Sequence, residues 1–421
     1  MKFTRVFAFM ALAGLATSAF ATNGYFSHGY GMKSKGMGGA ATATHDDAFF
    51  GANNPAAAAF AGNRLDLGVD LFSPRREATR TGLGPGLDGS VDSDSNYFLI
   101  PEFGYNRMLN NNLALGVTVY GNGGMNTDYA GGQFNCGGGP ANMLCGQGSL
   151  GVDLMQLIFA PTAAYKIAPN HSIGISPLLG YQRFKAEGLH AFTGVSSSPA
   201  NVTNQGYDDS FGYGVRIGYM GKVSPTVTIG AAYASKMNFE EFDKYKGLFA
   251  EQGDFDIPEN YNIGVSWQAT PAIKLALDYQ RINYTGVASV SNPSTNMAAL
   301  GADNGPGFGW QDIDVWKLGV EYKHSKALTL RAGYNHGDNP ILARDVTFNI
   351  IAPGVVKDHA TLGFTYTLAS GNELTMSYMH AFKNDVSGAS ILPVFSGGSP
   401  AGNEKIEMYQ NAIGIQYSWK M

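Results

Sequence analysis

The chain has 421 residues, of which only 14% are charged, whereas 56 are glycines and 12% are aromatic. Soluble domains usually carry about a quarter of charged residues, so this composition excludes an ordinary soluble domain. The formal net charge of −5 excludes a strongly basic surface of the kind that attracts nucleic acid.

The first 21 residues are typical of a secretory signal peptide. Lys2 and Arg5 form a positively charged start, an apolar run covers 6–16, and 19–21 match an A-x-A cleavage site. That run is too short for a membrane helix, and no later stretch reaches the roughly 18 apolar residues that such a helix needs. We therefore expect an exported chain that begins at Thr22, either a secreted β-protein or an outer-membrane barrel.

The next segment, 22–62, shows no strand pattern and is rich in small residues. An alanine-rich run follows Asn54 and Pro55, which predicts a short helix with Asn54 as its N-cap and Pro55 at its first position. A compact segment ahead of a barrel indicates a plug, or hatch, that fills the lumen; a disordered tail is the alternative.

From residue 63 onward, apolar side chains alternate with small or polar ones at the period of two that β-strands require. In 261–267, for example, Tyr, Ile, Val and Trp lie on one face, with Asn, Gly and Ser on the other. The strand candidates are 64–73, 95–107, 111–124, 152–167, 171–187, 208–223, 226–243, 257–268, 272–286, 312–324, 327–338, 355–369, 372–383 and 405–420.

Strand length and connection length decide between a sandwich and a membrane barrel. The strands are longer than the usual five or six residues and match those that cross a bilayer at a tilt. Short turns such as 168–171 and 323–327 alternate with long connections such as 125–151 and 287–311. This alternation is typical of an up-and-down outer-membrane barrel, here a 14-stranded antiparallel transmembrane β-barrel covering 63–421.

The apolar face of each strand is then predicted to meet lipid, and the small and polar face to line the lumen. The charged residues on the inner face include Arg216, Lys274, Asp278, Lys317 and Arg331. We expect the inward cations to pair mostly with acids of the hatch.

The third strand contains an unusual glycine cluster. Val117 and Val119 alternate as in an ordinary strand, but Gly121, Gly123 and Gly124 surround Asn122 near its extracellular end. Such glycines weaken a strand and allow a close approach of another backbone. In lipid, lost ladder hydrogen bonds are tolerated only where protein or water replaces them, so we predict that 121–124 bend inward and line a passage.

Residues with possible chemistry are few. Cys136 and Cys145 are close in sequence, and in an oxidising compartment we expect a disulfide between them rather than a metal site. No spacing sets a histidine against a serine and an acid, so we expect neither an enzyme nor a bound metal or cofactor. Asp46 and Asp47 are adjacent, and neighbouring side chains point apart, so they do not form a catalytic carboxylate pair.

Two long loops carry large apolar residues, namely Leu248, Phe249, Phe255, Leu392 and Phe395, together with Ile391 and Val394. Apolar loops exposed to water are costly, so these residues either pack against each other or capture an apolar ligand. Both possibilities remain open at this stage.

Several segments of the chain resemble the FadL family, outer-membrane transporters of long-chain fatty acids and other hydrophobic compounds. Asp46, Asp47, Asn54, Pro55 and Ala56 in “HDDAFFGANNPAAAAF” are similar to the hatch signature of that family. The similarity includes “YGNGGMNTDY”, “DIPENYNIGVSW”, “GYNHGDNPI” and “MSYMHAF”. The resemblance implies a fourteen-stranded barrel closed by an N-terminal hatch, with ligand capture by extracellular loops and lateral exit at the kinked third strand. Transport would be diffusive, without a cofactor.

Some features depart from the family pattern. The chain ends in Met421 rather than the commoner terminal Phe. The loop after the third strand carries both cysteines and is short compared with the long, helical loop of the family. Arg183 and Lys185 resemble a basic position of the fatty-acid transporters, yet their parity places them on the lipid face, where lipopolysaccharide would meet them. Long-chain fatty acids are the expected substrate, and monoaromatic hydrocarbons are the alternative substrate. A structural or adhesive barrel without transport is the third possible function. We expect a monomer in the Gram-negative outer membrane.

Overall fold

The computed structural model describes residues 22–421, apart from the side chains of Phe395 and Ser396. The signal peptide predicted for 1–21 lies outside the described residues.

Counted over 22–421, fourteen long antiparallel strands form one closed sheet. Each strand pairs with its neighbours in the chain, and the first pairs with the last from Arg64–Lys420 to Thr81–Asn403. The barrel confirms the predicted fold class. The strands are β1 (Arg64–Thr81), β2 (Phe98–Met108), β3 (Leu113–Asn126), β4 (Gly151–Ala168), β5 (His171–Glu187), β6 (Asp208–Lys222), β7 (Val227–Ala234), β8 (Asn260–Gln268), β9 (Ile273–Ile282), β10 (Ile313–Lys323), β11 (Leu328–Gly337), β12 (Asp358–Thr367), β13 (Glu373–Ser390) and β14 (Ala401–Lys420).

The remaining elements are short and lie in the loops or the lumen. The short strands are Gly89–Asp92, Phe134–Asn135, Pro140–Ala141 and Asn238–Phe239, and the α-helical turns are Met32–Lys35, Ala250–Gly253 and Ala288–Ser291. The 3-10 helices are Pro55–Ala59, His190–Val195, Pro199–Asn201, Asp243–Tyr245, Tyr284–Gly286, Ala343–Asp345, Phe348–Ile350 and Leu392–Ser396. No helix in the described part of the chain is long and apolar enough to cross a bilayer.

The strand β1 is longer than predicted. It continues through Pro74 to Thr81, whereas the prediction ended at residue 73. Its ladder with β2 ends at Phe72, so the extension has lost that neighbour, a setting in which a strand tolerates proline. The extension stays paired with β14 and adds the short strand Gly89–Asp92.

The two faces of the wall follow the predicted alternation. Ile263 is 56% exposed and Leu362 60% on the outside, whereas Arg216 and Lys317 are 4% and 6% exposed on the inside. Arg183 lies on the outer face, as its parity predicted, with its guanidinium carbon 3.8 Å from the centre of the Tyr207 ring.

The segment 22–62 (below, the N-terminal segment) packs inside the barrel. Its 3-10 helix Pro55–Ala59 begins as predicted, because the Asn54 side chain accepts a hydrogen bond from the Ala56 amide at 3.1 Å. Glycines on the inner wall permit close contact with this segment. A Cβ atom on Gly174 would lie 2.4 Å from the Pro55 carbonyl carbon, and one on Gly218 would lie 2.1 Å from Asn54 Oδ1.

The disulfide partners lie in the loop between β3 and β4. Cys136 and Cys145 are bonded, with Cα atoms 5.6 Å apart. The bond joins the turn of a hairpin formed by Phe134–Asn135 and Pro140–Ala141 to Cys145, which follows the second of these strands. The loop therefore has a covalent restraint in place of a helix.

The contact at Gly218 yields a stability prediction. Gly218→Ala places a methyl group against Asn54 and should lower the free energy of unfolding by about 1–3 kcal/mol, because the packed interior resists added volume. Urea unfolding followed by tryptophan fluorescence measures the change. Gly286→Ala is the matched control, since a Cβ atom there meets nothing within 4 Å. Equal loss in both variants would contradict the close contact.

Candidate functional site

The barrel wall contains an interval in which two neighbouring strands are not joined. The ladder between β2 and β3 ends at Phe103–Val119. Beyond it, Phe98–Glu102 pair with β1 and Tyr120–Asn126 pair with β4. Among the described residues, no ladder joins these two stretches to each other. We call the interval between Phe98–Glu102 and Tyr120–Asn126 the wall gap.

The wall gap is bounded at its extracellular end. An isolated bridge joins Ser93 to Tyr129, and the Asp94 amide donates to the Asp128 carbonyl at 2.8 Å. The interval is therefore a window within the wall rather than a split that runs to the rim.

The glycine cluster lies along the β3 edge of the wall gap. Gly121 pairs with Leu157 and Gly123 with Gln156, so Asn122 is the one extra residue of a β-bulge. The strand continues through the glycines to Asn126, two residues beyond the predicted end. The bulge changes its course while the pairing with β4 is kept.

The beginning of the N-terminal segment lies across the wall gap and bonds to both of its edges. On the β3 edge, Phe26 bridges to Gly123, and the Asn122 carbonyl accepts hydrogen bonds from the Ser27 amide at 3.3 Å and the Tyr30 hydroxyl at 3.0 Å. On the β2 edge, the Gly31 amide donates to a Glu102 carboxylate oxygen at 3.1 Å. The backbone bonds to β3 partly replace the missing ladder, whereas the bond on the β2 edge reaches only a side chain.

Aromatic rings fill the space behind the wall gap. The rings of Tyr30 and Tyr120 meet edge to face, with their centroids 4.8 Å apart. A Cβ atom on Gly123 would lie 1.8 Å from the Tyr25 carbonyl oxygen, so only glycine allows the two backbones to approach this closely. The described residues therefore fill the inner side of the wall gap.

Next to the wall gap, Tyr25 is enclosed by aromatic side chains. Its ring centroid lies 5.3 Å from that of Tyr284, 5.8 Å from that of Trp310 and 6.1 Å from that of Phe255. The Tyr284 hydroxyl donates to the Asn23 carbonyl at 2.6 Å and holds the segment in place. We call Tyr25, Phe26, Phe255, Tyr284 and Trp310 the aromatic cluster.

The predicted capture residues pack inward in this structure. Phe249 and Phe255 are 4% and 1% exposed, and Leu248 and Leu392 are partly buried against the same hydrophobic cluster. The Phe395 side chain lies outside the described residues. Mutual packing, the first of the two possibilities, is what this state contains, and ligand capture by these loops stays a prediction.

Ion pairs fix the rest of the N-terminal segment to the barrel. The Lys35 ammonium lies 2.9 Å from an Asp70 oxygen and 2.8 Å from a Glu102 oxygen. Lys33 lies 2.6 Å from Glu373. Burial disfavours the charge on Lys35, but its two carboxylate partners outweigh burial and raise the pKa of Lys35.

The residues of the hatch signature are all in contact with the wall or the segment itself. Asp46 lies 2.5 Å from the Lys274 ammonium, which outweighs burial and holds the pKa of Asp46 well below its usual range. Burial and the Asp66 carboxylate raise the pKa of Asp47 to about 6. The Asn54 side-chain Nδ2 donates to the Thr42 carbonyl at 2.7 Å. Pro55 and Ala56 begin the 3-10 helix.

The inward cations fall into two groups, and the prediction that most would pair with acids of the N-terminal segment is only partly correct. Lys274 pairs with Asp46, but Arg331 pairs with Glu321 of the wall at 2.7 Å. Among the described residues, Arg216 and Lys317 form no ion pair.

The surroundings of these two cations differ. Arg216 donates to the Ala52 and Asn53 carbonyls. Lys317 stands opposite Asp278 in the β9–β10 ladder. Asp278 already accepts hydrogen bonds from the Ala41 and Thr42 amides at 2.8 Å each.

In the described range, no group of three or more histidine, cysteine or acidic side chains is arranged to hold a metal ion.

Comparison with known proteins identifies the family. The model of the family described as “Outer membrane protein transport protein (OMPP1/FadL/TodX)” matches residues 8–392. The chain belongs to this family. It is an outer-membrane protein of Gram-negative type, in agreement with the predicted location. Among curated proteins, none matches the chain significantly.

Solved structures of similar fold include transporters of this family. The Pseudomonas putida toluene transporter TodX has a TM-score of 0.69 at 19% identity, and a Pseudomonas aeruginosa FadL homologue has 0.72 at 14%. The Ralstonia pickettii toluene transporter TbuX has 0.63 at 17%. In each case the alignment covers 94% of this chain and 99% of the other. At these identities the likeness shows a shared FadL-type fold.

The buried ion pairs predict a strong dependence on Lys35. Lys35→Met leaves the Asp70 and Glu102 carboxylates without their cation and should lower the free energy of unfolding by about 3–5 kcal/mol. Urea unfolding measures this change in the free energy of unfolding. Lys405→Met removes a half-exposed lysine that pairs with Glu407 and should cost about 0–1 kcal/mol. A loss at Lys35 no larger than at Lys405 would refute the anchoring role.

Proposed function

We propose that the chain allows passive uptake of hydrophobic molecules across the outer membrane, with lateral exit through the wall gap. The observation that supports this most directly is the missing β2–β3 ladder, across which the start of the N-terminal segment lies. Within lipid, unpaired backbone groups at membrane depth are expensive unless protein or water satisfies them. Residues 22–31 of the N-terminal segment lie across the gap, and we call them the cover. A gap retained at this cost, with a cover that is not part of the wall, suits a passage better than a purely structural wall.

The proposed route runs from the extracellular loops, past the aromatic cluster, to the wall gap. Leu248, Phe249, Phe255, Leu392 and Phe395 are the candidates for capture in the loops. In this proposal the N-terminal segment acts as the hatch, 63–421 as the barrel, and Gly121–Gly124 as the lateral opening. An apolar ligand that enters the membrane sideways gains burial at every step, so no energy source is required.

Long-chain fatty acids are the proposed substrate class. A substrate carboxylate that is buried in the lumen is costly without an opposite charge beside it. It therefore needs a cation that is not already paired with an acidic side chain of the protein. Arg216 and Lys317 are buried and form no ion pair among the described residues, which suits this role.

A second candidate substrate class is monoaromatic hydrocarbon. The aromatic cluster supports it, since rings at these distances and angles pack favourably against a further ring. TodX and TbuX are described as toluene transporters. A structural or adhesive barrel with a permanently closed hatch is the third possibility, and catalysis is not part of the proposal. We expect a monomer whose outer face, including Arg183 and Lys185, contacts lipopolysaccharide.

A reversible lock tests the exit route. Ser27 and Asn122 are backbone neighbours in an antiparallel arrangement, for which Cα distances of about 4.5–5.5 Å suit a disulfide. Oxidised Ser27→Cys/Asn122→Cys should therefore lose at least about nine-tenths of oleate or toluene uptake into proteoliposomes, and reductant should restore it.

The native protein with and without reductant is the control, because it contains the Cys136–Cys145 disulfide. Heat-modifiable migration on gels verifies barrel assembly. Full uptake by the oxidised variant would count against exit through the wall gap.

Substrate class is tested with Arg216→Leu. In a deletion strain that carries this variant, oleate uptake should fall about tenfold or more, the size of a lost charge-assisted hydrogen bond, while toluene uptake stays unchanged. Arg281→Leu is the control, because Arg281 pairs with Asp312 and Asp314 away from the lumen.

Equal loss of both substrates would remove the argument for a carboxylate site. Uptake that is the same in the deletion strain and the complemented strain, for both compounds, would refute transport.

A further inference from the structure

Three buried amide side chains connect the wall gap to the extracellular loops. Asn122 Nδ2 donates to Gln156 Oε1 at 3.0 Å, and Gln156 Nε2 donates to Gln182 Oε1 at 3.2 Å. Gln182 Nε2 then donates to the Phe255 carbonyl oxygen at 2.9 Å. We call Asn122, Gln156 and Gln182 the amide relay.

The relay runs along the inner face of the wall across three consecutive strands. Asn122 is the bulge residue of β3, Gln156 lies on β4 and Gln182 on β5. The latter two are direct partners in the β4–β5 ladder. Their exposed fractions are 3%, 1% and 0%, so water does not compete for these hydrogen bonds.

Both ends of the relay meet parts that the proposed transport would have to move. At one end, Phe255 belongs to the aromatic cluster and lies 6.1 Å from the Tyr25 ring. At the other, the Asn122 carbonyl holds the Ser27 amide and the Tyr30 hydroxyl over the wall gap. The relay therefore joins the loop that carries a candidate capture residue to the residue that holds the cover.

We infer that Gln156 and Gln182 are positioning residues that couple the loop at Phe255 to the cover of the wall gap. A shift of this loop removes the Phe255 carbonyl, which is the acceptor for Gln182. The Gln182 side chain then seeks another partner, and this rearranges its hydrogen bond to Gln156 and, in turn, the bond between Gln156 and Asn122. A buried amide without a hydrogen-bond partner is costly, so the position of each relay side chain depends on the position of its neighbour. The inference rests on the proposed function only for its role in transport; the coupling itself is independent of any ligand.

The coupling is measured by the accessibility of the cover. The native cysteines are bonded to each other, so Ser27→Cys introduces the free thiol for maleimide labelling in detergent. Ser27 is 4% exposed and becomes reactive only when the cover is released. Ser34→Cys, at a residue 5% exposed within the anchored helix Met32–Lys35, is the reference thiol.

The expected result is a rise in labelling at Ser27→Cys when the relay is cut at its far end. Gln182→Leu should increase the rate about fivefold to tenfold, the size of one buried hydrogen bond, although Gln182 does not touch the cover. Gln156→Leu should do the same. The double variant should label no faster than the single variants, because both cut one chain. Ser34→Cys should stay unreactive throughout.

Gln410→Leu is the matched control. Gln410 is a fully buried inward glutamine on β14 that contacts Met408 and lies outside the relay. It should leave labelling at Ser27→Cys unchanged even if it lowers global stability as much as Gln182→Leu does.

Two outcomes would overturn the coupling: Gln182→Leu that labels at the rate of the parent, or Gln410→Leu that raises the rate equally. The same variants in the oleate and toluene uptake assay separate the two ideas. Faster labelling without any uptake in the parent protein would retain the coupling and refute transport; unchanged labelling with normal uptake would refute only the coupling.

Discussion

The structure depends on one constraint, the need to satisfy every backbone amide and carbonyl at membrane depth. The ladders between neighbouring strands, closed by the pairing of β1 with β14, meet it around most of the circumference. The ladder between β2 and β3 is the exception, and there the N-terminal segment supplies Ser27 and Phe26 as partners for the backbone of β3. The wall therefore depends on the segment in the lumen, because that segment supplies some of the hydrogen bonds of the wall backbone.

The N-terminal segment divides into two parts by the kind of interaction that holds it. From Lys33 onward, buried ion pairs fix it. Before Gly31, hydrogen bonds and ring packing hold it, without an ion pair among the described residues. Breaking a buried ion pair leaves a charge stranded, whereas a hydrogen bond is exchanged at lower cost. A limited displacement of the first part is thus compatible with an intact barrel.

The glycines of β3 show how much of the strand geometry the local sequence predicts. Gly121, Gly123 and Gly124 indicated a place where a strand could not be regular, and the bulge lies there. Their pattern predicted an inward bend, but a sequence shows the loss of side chains and not the partner that compensates for it. Pairing with β4 keeps the strand intact to Asn126, and Tyr25 occupies the space that a side chain would take.

The sequence by itself determined export, the strand number, the direction of each wall residue and the cap of the helix at Asn54, since these follow from periods and spacings within a few residues. Only the tertiary structure decided which inward cations stay unpaired, that Glu102 joins Lys35, and that Gln156 and Gln182 link a loop to the wall gap. Residues far apart in sequence meet only after the barrel closes, and no local pattern encodes their distance. Buried glutamines in a strand look like any other lumen residue until their partners are in place.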